Sequence, residues 1–303
     1  MIEIRQLPYF YMEIVYNTAM LNQIRKSLQQ SYPRQFWLLV IGMLLSTIGS
    51  SMIWPFLTIY VSERLDAALS QVTILMTMNS IVGLIASFIA GTIVDKVGRK
   101  WGMVASLCGL SFYYFFMSKA DSWAAFAILM SISGFINPLY QISSDAMMAD
   151  MIPSEKRADA YSLTRMAHNV GIALGPTIGG FIAQISYSIS FYTAAAGLMT
   201  FCILLAVFAR ETIPHRQPGY QKPAVAEKTV DTSGGYGRVL RDKPFIMFVV
   251  ALILTYVCVS MIWVLMAVYA KQNFGINEEL YGWLPATNAM MVIFLQLGIT
   301  QLV

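Results

Sequence analysis

A few polar and titratable side chains interrupt long apolar runs at helical spacing, and their types suit ion pairing and proton movement rather than bond making. Ser133, Asn137, Gln141 and Asp145 recur at i, i+4, so they share one slowly rotating helix face, as on a helix lining a water-filled cavity. Asp145 lies about 7.5 Å by helical rise from the end of its run, a depth that suits a gate better than a mid-membrane proton site. Arg165, His168 and Asn169 form a second set at i, i+3, i+4. His168 falls about 15 Å deep, where an imidazole could carry a proton. A lone buried histidine is also a common hydrogen-bonded packing residue, and that alternative stays open.

Other chemistries find no support. There is no HExxH pair, GxSxG elbow or phosphate-binding Walker loop, and two histidines leave little general-base material. Cys108, Cys202 and Cys258 stand apart from one another, with neither metal-ligand spacing nor a disulfide framework. Neither an enzyme, a cofactor nor a metal site is expected.

The elements that must position these residues follow from composition. The chain of 303 residues is 57% hydrophobic and 12% charged, with a mean hydropathy of +0.61, far from the quarter of charged residues usual in soluble proteins. Runs long enough to cross a bilayer fall at 36–62, 69–94, 100–119, 122–149, 158–185, 188–209, 244–270 and 279–303. The predicted architecture is all-α and integral to the membrane, with eight spans. Between the second and third, the decapeptide Gly91-Thr-Ile-Val-Asp-Lys-Val-Gly-Arg-Lys100 packs four charges around Gly98. Those charges cannot sit in hydrocarbon, so Asp95, Lys96, Arg99 and Lys100 belong at a membrane surface.

Orientation follows from the basic residues, which concentrate in cytoplasmic loops. Of 20 Lys and Arg, only Arg64, Lys119 and Lys271 fall in the loops opposite the N-terminus, and Arg165 alone lies inside a span. The N-terminus is therefore expected to be cytoplasmic. The net charge of +4 is spread over several loops rather than gathered in one stripe, which argues against a nucleic-acid partner and for contact with anionic lipid.

An internal repeat adds a second level. Ser51-Met-Ile-Trp54, Tyr60 and Asn79 reappear as Ser260-Met-Ile-Trp263, Tyr269 and Asn288, each displaced by 209 residues. Two related halves follow: a cytoplasmic extension over 1–35, a six-span bundle over 36–209, a cytoplasmic linker over 210–243, and the first two spans of a second bundle over 244–303. The same offset places Val303 opposite Val94, so the sequence reads as truncated after its eighth span. Thr47, Ser51, Trp54 and Thr58 line one face of the first span, and the offset maps them onto Tyr256, Ser260, Trp263 and Ala267. Trp54, Trp263, Asn137, Gln141 and Tyr256 are the expected cavity lining, with the two tryptophans taking apolar or cationic ligands.

The pattern Gly-x-x-x-Asp-x-x-Gly-Arg-Lys at 91–100 resembles the loop between the second and third spans of the major facilitator superfamily. Asp150-Met-Ile-Pro153-Ser-Glu-Lys-Arg157 resembles its loop between spans four and five, and Arg210-Glu-Thr212 its sixth-span ending. In span five, Gly171, Gly175 and Gly179 recur every four residues and, with Pro176 and Gly180, are similar to the signature of the antiporter branch of that superfamily. The resemblance implies a twelve-span multidrug exporter of the drug and proton antiport type, working by rocking of two six-helix bundles. It also implies that Asp95, Arg99 and Asp150 form a cytoplasmic charge relay; by its own length and depth Arg165 is expected to reach the same acidic cluster by snorkelling, with Asp145 near the same gate. One departure stands out: that branch carries an arginine in its fourth span, whereas 122–149 contain no basic residue.

The expectation is a monomeric secondary transporter that exports amphiphilic small molecules in exchange for protons. A symporter or sugar-type exporter, and a membrane sensor that binds without transport, remain alternatives.

Overall fold

The computed structural model describes residues 32–213 and 241–300, without the side chains of 261–264, 289, 290 and 292–300. The expected extension and linker therefore fall mostly outside the described residues. Within them the chain is helical throughout and has no strands: α1 (Arg34–Ile53), a 3-10 turn (Trp54–Phe56), α2 (Leu57–Leu65), α3 (Leu69–Val97), α4 (Arg99–Met117), α5 (Trp123–Met151), α6 (Ser154–Ile185), α7 (Tyr187–Phe208), α8 (Lys243–Phe274) and α9 (Glu278–Thr300). The first run is one span in two pieces, α1 and α2, and each later helix matches one of the remaining seven runs.

Five of these spans, 34–65, 69–97, 123–151, 187–208 and 243–274, are long and apolar enough by themselves to cross a membrane. The others carry more polar residues: α6 begins with Ser154-Glu-Lys-Arg157 and holds Arg165, His168 and Asn169. Such a helix is stable in a bilayer only with its polar face turned to protein or water.

Each boundary has a local cause. Pro55 cannot donate a backbone hydrogen bond, and the first span tightens into the 3-10 turn around it. After α2, Asp66 takes a left-handed conformation with φ 47°, and Ala67 N returns to Ser62 O at 3.1 Å to close the helix end. Gly98 alone separates α3 from α4; its φ of 117° with ψ of 151° is open only to glycine. At α8, the Asp242 carboxylate accepts from Phe245 N at 3.2 Å, and Pro244 occupies the first turn, where its missing N–H is harmless.

In the first six spans, α1 packs on α6 and α7, α3 on α5, and α4 on both α5 and α7. Phe36, Leu39, Met103, Phe126, Phe191 and Phe201 are fully buried between them. Lipid offers little hydrophobic drive for helix association, so close backbone approach and interhelical hydrogen bonds hold the pairs. Asn79 Nδ2 donates to Met130 O at 2.8 Å, Ser111 Oγ to Ala195 O at 2.7 Å, and Tyr60 OH to Met117 O at 3.1 Å. The turns α3–α4, α5–α6 and the start of α1 share one end of the bundle, the near end. The turns α2–α3, α4–α5, α6–α7 and α8–α9 share the other, the far end.

Candidate functional site

At the near end, the glycine turn points Arg99 back over α3 and across to α5. Arg99 Nη1 lies 2.8 Å from Asp95 Oδ1, and Nε lies 3.2 Å from Asp150 Oδ2, an ion pair without hydrogen-bond alignment. The Arg99 side chain is only 14% exposed against 68% for Asp95, so the screened outer pair contributes less than the inner one. Thr212 Oγ1 also donates to Asp150 Oδ2, at 3.2 Å. Asp95, Arg99 and Asp150 are thus brought together.

Glu211 completes this corner, a position the sequence reading left without a task. Its carboxylate accepts from Arg99 N at 3.0 Å and Lys100 N at 3.2 Å, capping α4 from outside the helix, where a negative charge also complements the helix dipole. The signal was present in Arg210-Glu-Thr212, but nothing in the spacing says that this carboxylate meets a helix start more than a hundred residues earlier.

Two confluent cavities run through the first bundle. One, of about 680 Å³, includes Asn137, Gln141, Asp145, Arg165 and His168 in its wall. The other, of about 460 Å³, includes Trp54, Asn79, Asn137, His168 and Pro176. The polar face of α5 therefore lines open space. Asn137 Nδ2 donates to Ser133 O at 2.9 Å and to Ser133 Oγ at 3.0 Å. Gln141 Nε2 lies 3.2 and 3.1 Å from the two oxygens of Asp145. His168 Nδ1 lies 3.2 Å from Thr47 Oγ1 across the α1–α6 contact.

Three expected placements change. Arg165 does not reach the acidic cluster: Asp150 is taken by Arg99 and Thr212, and the register of α6 turns Arg165 into the larger cavity. Asp145 stands on the same cavity wall, with Gln141 as its contact rather than any member of the near-end cluster. Tyr256 lines neither cavity; residues 251–260 are all exposed, and Tyr256 is 71% exposed. The side chain of Trp263 lies outside the described residues.

The span-five glycines work on two fronts. A methyl group at Gly171 would lie 2.7 Å from Thr47 Cβ, and one at Gly175 would lie 2.5 Å from Ser51 Cβ; Gly179 meets Met52 O. These three let α1 and α6 touch backbone to backbone. Gly180 faces the other way, against the Glu278 backbone, while Gly282 of α9 packs on Pro176 O and accepts from Thr177 Oγ1 at 3.1 Å. The motif thus joins α1 on one side and α9 on the other.

The far end carries a second charged cluster that sequence reasoning missed. Lys271 Nζ on α8 lies 2.6 Å from Glu63 Oε1 and 2.7 Å from Glu278 Oε1. Tyr187 OH donates to Glu278 Oε1 at 2.8 Å, and Gln184 Nε2 to Glu279 Oε2 at 2.6 Å. Glu278 belongs to the turn ahead of the eighth apolar run. Burial raises the pKa of its carboxyl, but the Lys271 ammonium and the Tyr187 hydroxyl outweigh that and hold it below the usual carboxylate range. Beneath the charges, Phe56, Ile59, Ala267, Val268, Ala270 and Tyr281 form a small buried apolar cluster. Charges and cluster together close the first six spans against α8 and α9.

Comparison with known proteins fits this geometry. Residues 39–303 match the family described as Major Facilitator Superfamily. The uncharacterised MFS-type transporter YqjV of Bacillus subtilis (strain 168) is 26% identical over 88% of this chain and 64% of its own. A Na(+), Li(+), K(+)/H(+) antiporter of Planococcus maritimus is 25% identical over 82% of this chain and 64% of its own. The quinolone resistance protein NorA of Staphylococcus aureus (strain MRSA252) is 26% identical over 62% and 48%, respectively. The chain therefore spans less than two thirds of the length of each. A solved structure of a bacterial homologue of the human lysosomal transporter Spinster superposes with a TM-score of 0.67 at 14% identity, covering 88% of this chain and 61% of its own, which speaks to the fold alone.

Proposed function

The chain belongs to the major facilitator superfamily, and from that premise we propose that it is a secondary transporter exporting amphiphilic small molecules in exchange for protons. It is a multi-pass membrane protein of a transporter family, not an enzyme. The observation that carries the finer reading is the connected pair of cavities, walled by polar groups on α5 and α6 and by the Trp54 ring, beneath a closed far end. A cavity sealed at one end by contacts between two halves is what alternating access requires in one of its two states.

In this reading the near end faces the cytoplasm of a bacterial inner membrane, and residues 36–209 rock as a unit against the half begun by α8 and α9. Asp95, Arg99 and Asp150 form a lock that holds α3, α4 and α5 together at that face while the far end is closed. Asp145 and His168 are the titratable groups on the cavity wall able to take up the exchanged proton. The name of the antiporter supports exchange against protons, and that of the quinolone resistance protein supports a drug-like cargo.

Everted membrane vesicles from cells expressing the protein from its complete gene test this. A panel of amphiphilic dyes should accumulate when a proton gradient is imposed, and a protonophore should abolish the uptake. Asp95→Asn is expected to depress that flux strongly at equal membrane abundance. Accumulation that ignores the protonophore would remove proton exchange from the reading, and near-normal flux in the variant would remove the lock.

A further inference from the structure

Asp145 and Arg165 are the only formally charged side chains in the eight apolar runs, apart from residues within two positions of a run's end. Both line the same cavity of about 680 Å³, yet they are not paired with each other. Asp145 accepts only from Gln141, and Arg165 has no hydrogen-bond or ion-pair partner among the described residues. By helical rise, Asp145 lies about 9 Å from the end of α5 at Met151, and Arg165 about 16 Å from the start of α6 at Ser154. These antiparallel helices meet at the near-end turn, so the two charges are staggered by about 7 Å along the cavity.

Charge balance then limits what can occupy the site. Both side chains are exposed to the open cavity, where water can solvate them, but the closed intermediate that alternating access requires removes that water. An unpaired charge left in a span is costly. A monocation would satisfy Asp145 and strand Arg165; a monoanion would satisfy Arg165 and leave Asp145 to be neutralised only by a proton. Protonating Asp145 does not help Arg165, whose guanidinium stays charged and presents a fork suited to carboxylate, sulfonate or phosphate oxygens. A ligand carrying both charges, a few bonds apart, satisfies both residues at once. Met43, Leu107, Leu110 and Leu198 on the same wall accept its apolar part.

We propose that the cavity is a binding site for zwitterionic amphiphiles, with the ligand's cationic group at Asp145, its anionic group at Arg165 and its tail on the leucine-lined wall. This rests on the transporter reading for the closed intermediate, but the site itself can be read by binding alone. The probes are three octyl compounds with a common tail: an octyl sulfobetaine, octyltrimethylammonium and octanesulfonate. Their affinities for the whole chain in lipid nanodiscs are measured by titration calorimetry, with partition into empty discs subtracted.

The sulfobetaine is expected to bind about tenfold more tightly than either singly charged probe, as one additional charge-assisted contact allows. Asp145→Asn should lower it to the level of octanesulfonate, and Arg165→Gln to that of octyltrimethylammonium. The ranking on the unmodified chain is decisive even if a variant fails to fold. Tightest binding of either singly charged probe, or equal binding of all three, would overturn the proposal, as would two folded variants with unchanged affinities. The ranking with no proton-driven flux in vesicles would leave this site standing and remove the exporter reading. Flux without the ranking would do the opposite.

Discussion

Lys271 Nζ lies 2.6 Å from Glu63 Oε1, joining α8 to α2 across 208 residues of chain. It is also bound to Glu278, so one ammonium holds carboxylates from both halves of the molecule.

Removing that ammonium leaves two carboxylates facing each other without a cation. Lys271→Ala is expected to weaken far-end closure by about 1 kcal/mol, the scale of partly exposed ion pairs. Spin labels on α2 and α8 should report a longer mean distance in the variant. An unchanged distance distribution would mean that the apolar cluster around Phe56 and Tyr281 closes this end alone.

The same closure should depend on pH in one direction. Because the Glu278 pKa is held below its ordinary value, its contribution is complete above the ordinary carboxylate pKa and is lost as pH falls through the depressed one. Far-end closure is therefore expected to persist down to about pH 4 and to weaken only below that. In Glu278→Gln the part of the labelled distance that depends on pH should shrink. Opening that begins near neutral pH would assign the sensitivity to another group.

The α1–α6 contact leaves no room for a side chain at Gly175, where a methyl group would also come within 2.9 Å of Ile48 O. Gly175→Val is expected to destabilise the protein by about 1 to 3 kcal/mol through overpacking. Gly197→Ala is the control, since beyond the adjoining backbone of its own helix the added group meets no described atom within 4 Å. Thermal unfolding in detergent should separate the two, and equal melting would show that α1 and α6 adjust freely.

Several features were legible in the sequence because each is set by local chemistry. Long apolar runs fix spans, Gly98 fixes the turn before α4, and the i, i+4 polar series on α5 does face open space. What escaped depends on which helices meet. Arg165 stands at the same depth whether it faces the acidic cluster or the cavity, and only the packing of α6 on α1 decides between them. Lys271 and Glu278 look like ordinary loop charges until the far-end turns converge. Glu211 resembles a span ending, and its capping of α4 exists only once α7 returns beside that helix start. Pro55 was visible, but the 3-10 turn it imposes in the first span was not foreseen.

That turn has a mechanical consequence. Pro55 leaves the hydrogen-bond ladder of the first span short of a rung, and a helix is most compliant where a rung is missing. Below the joint, α1 supplies Thr47 and Ser50 to the cavity wall; above it, α2 supplies Ile59 and Glu63 to the closure. The first span is thus a jointed lever rather than a rigid rod, with its fulcrum between the part that lines the cavity and the part that closes the far end.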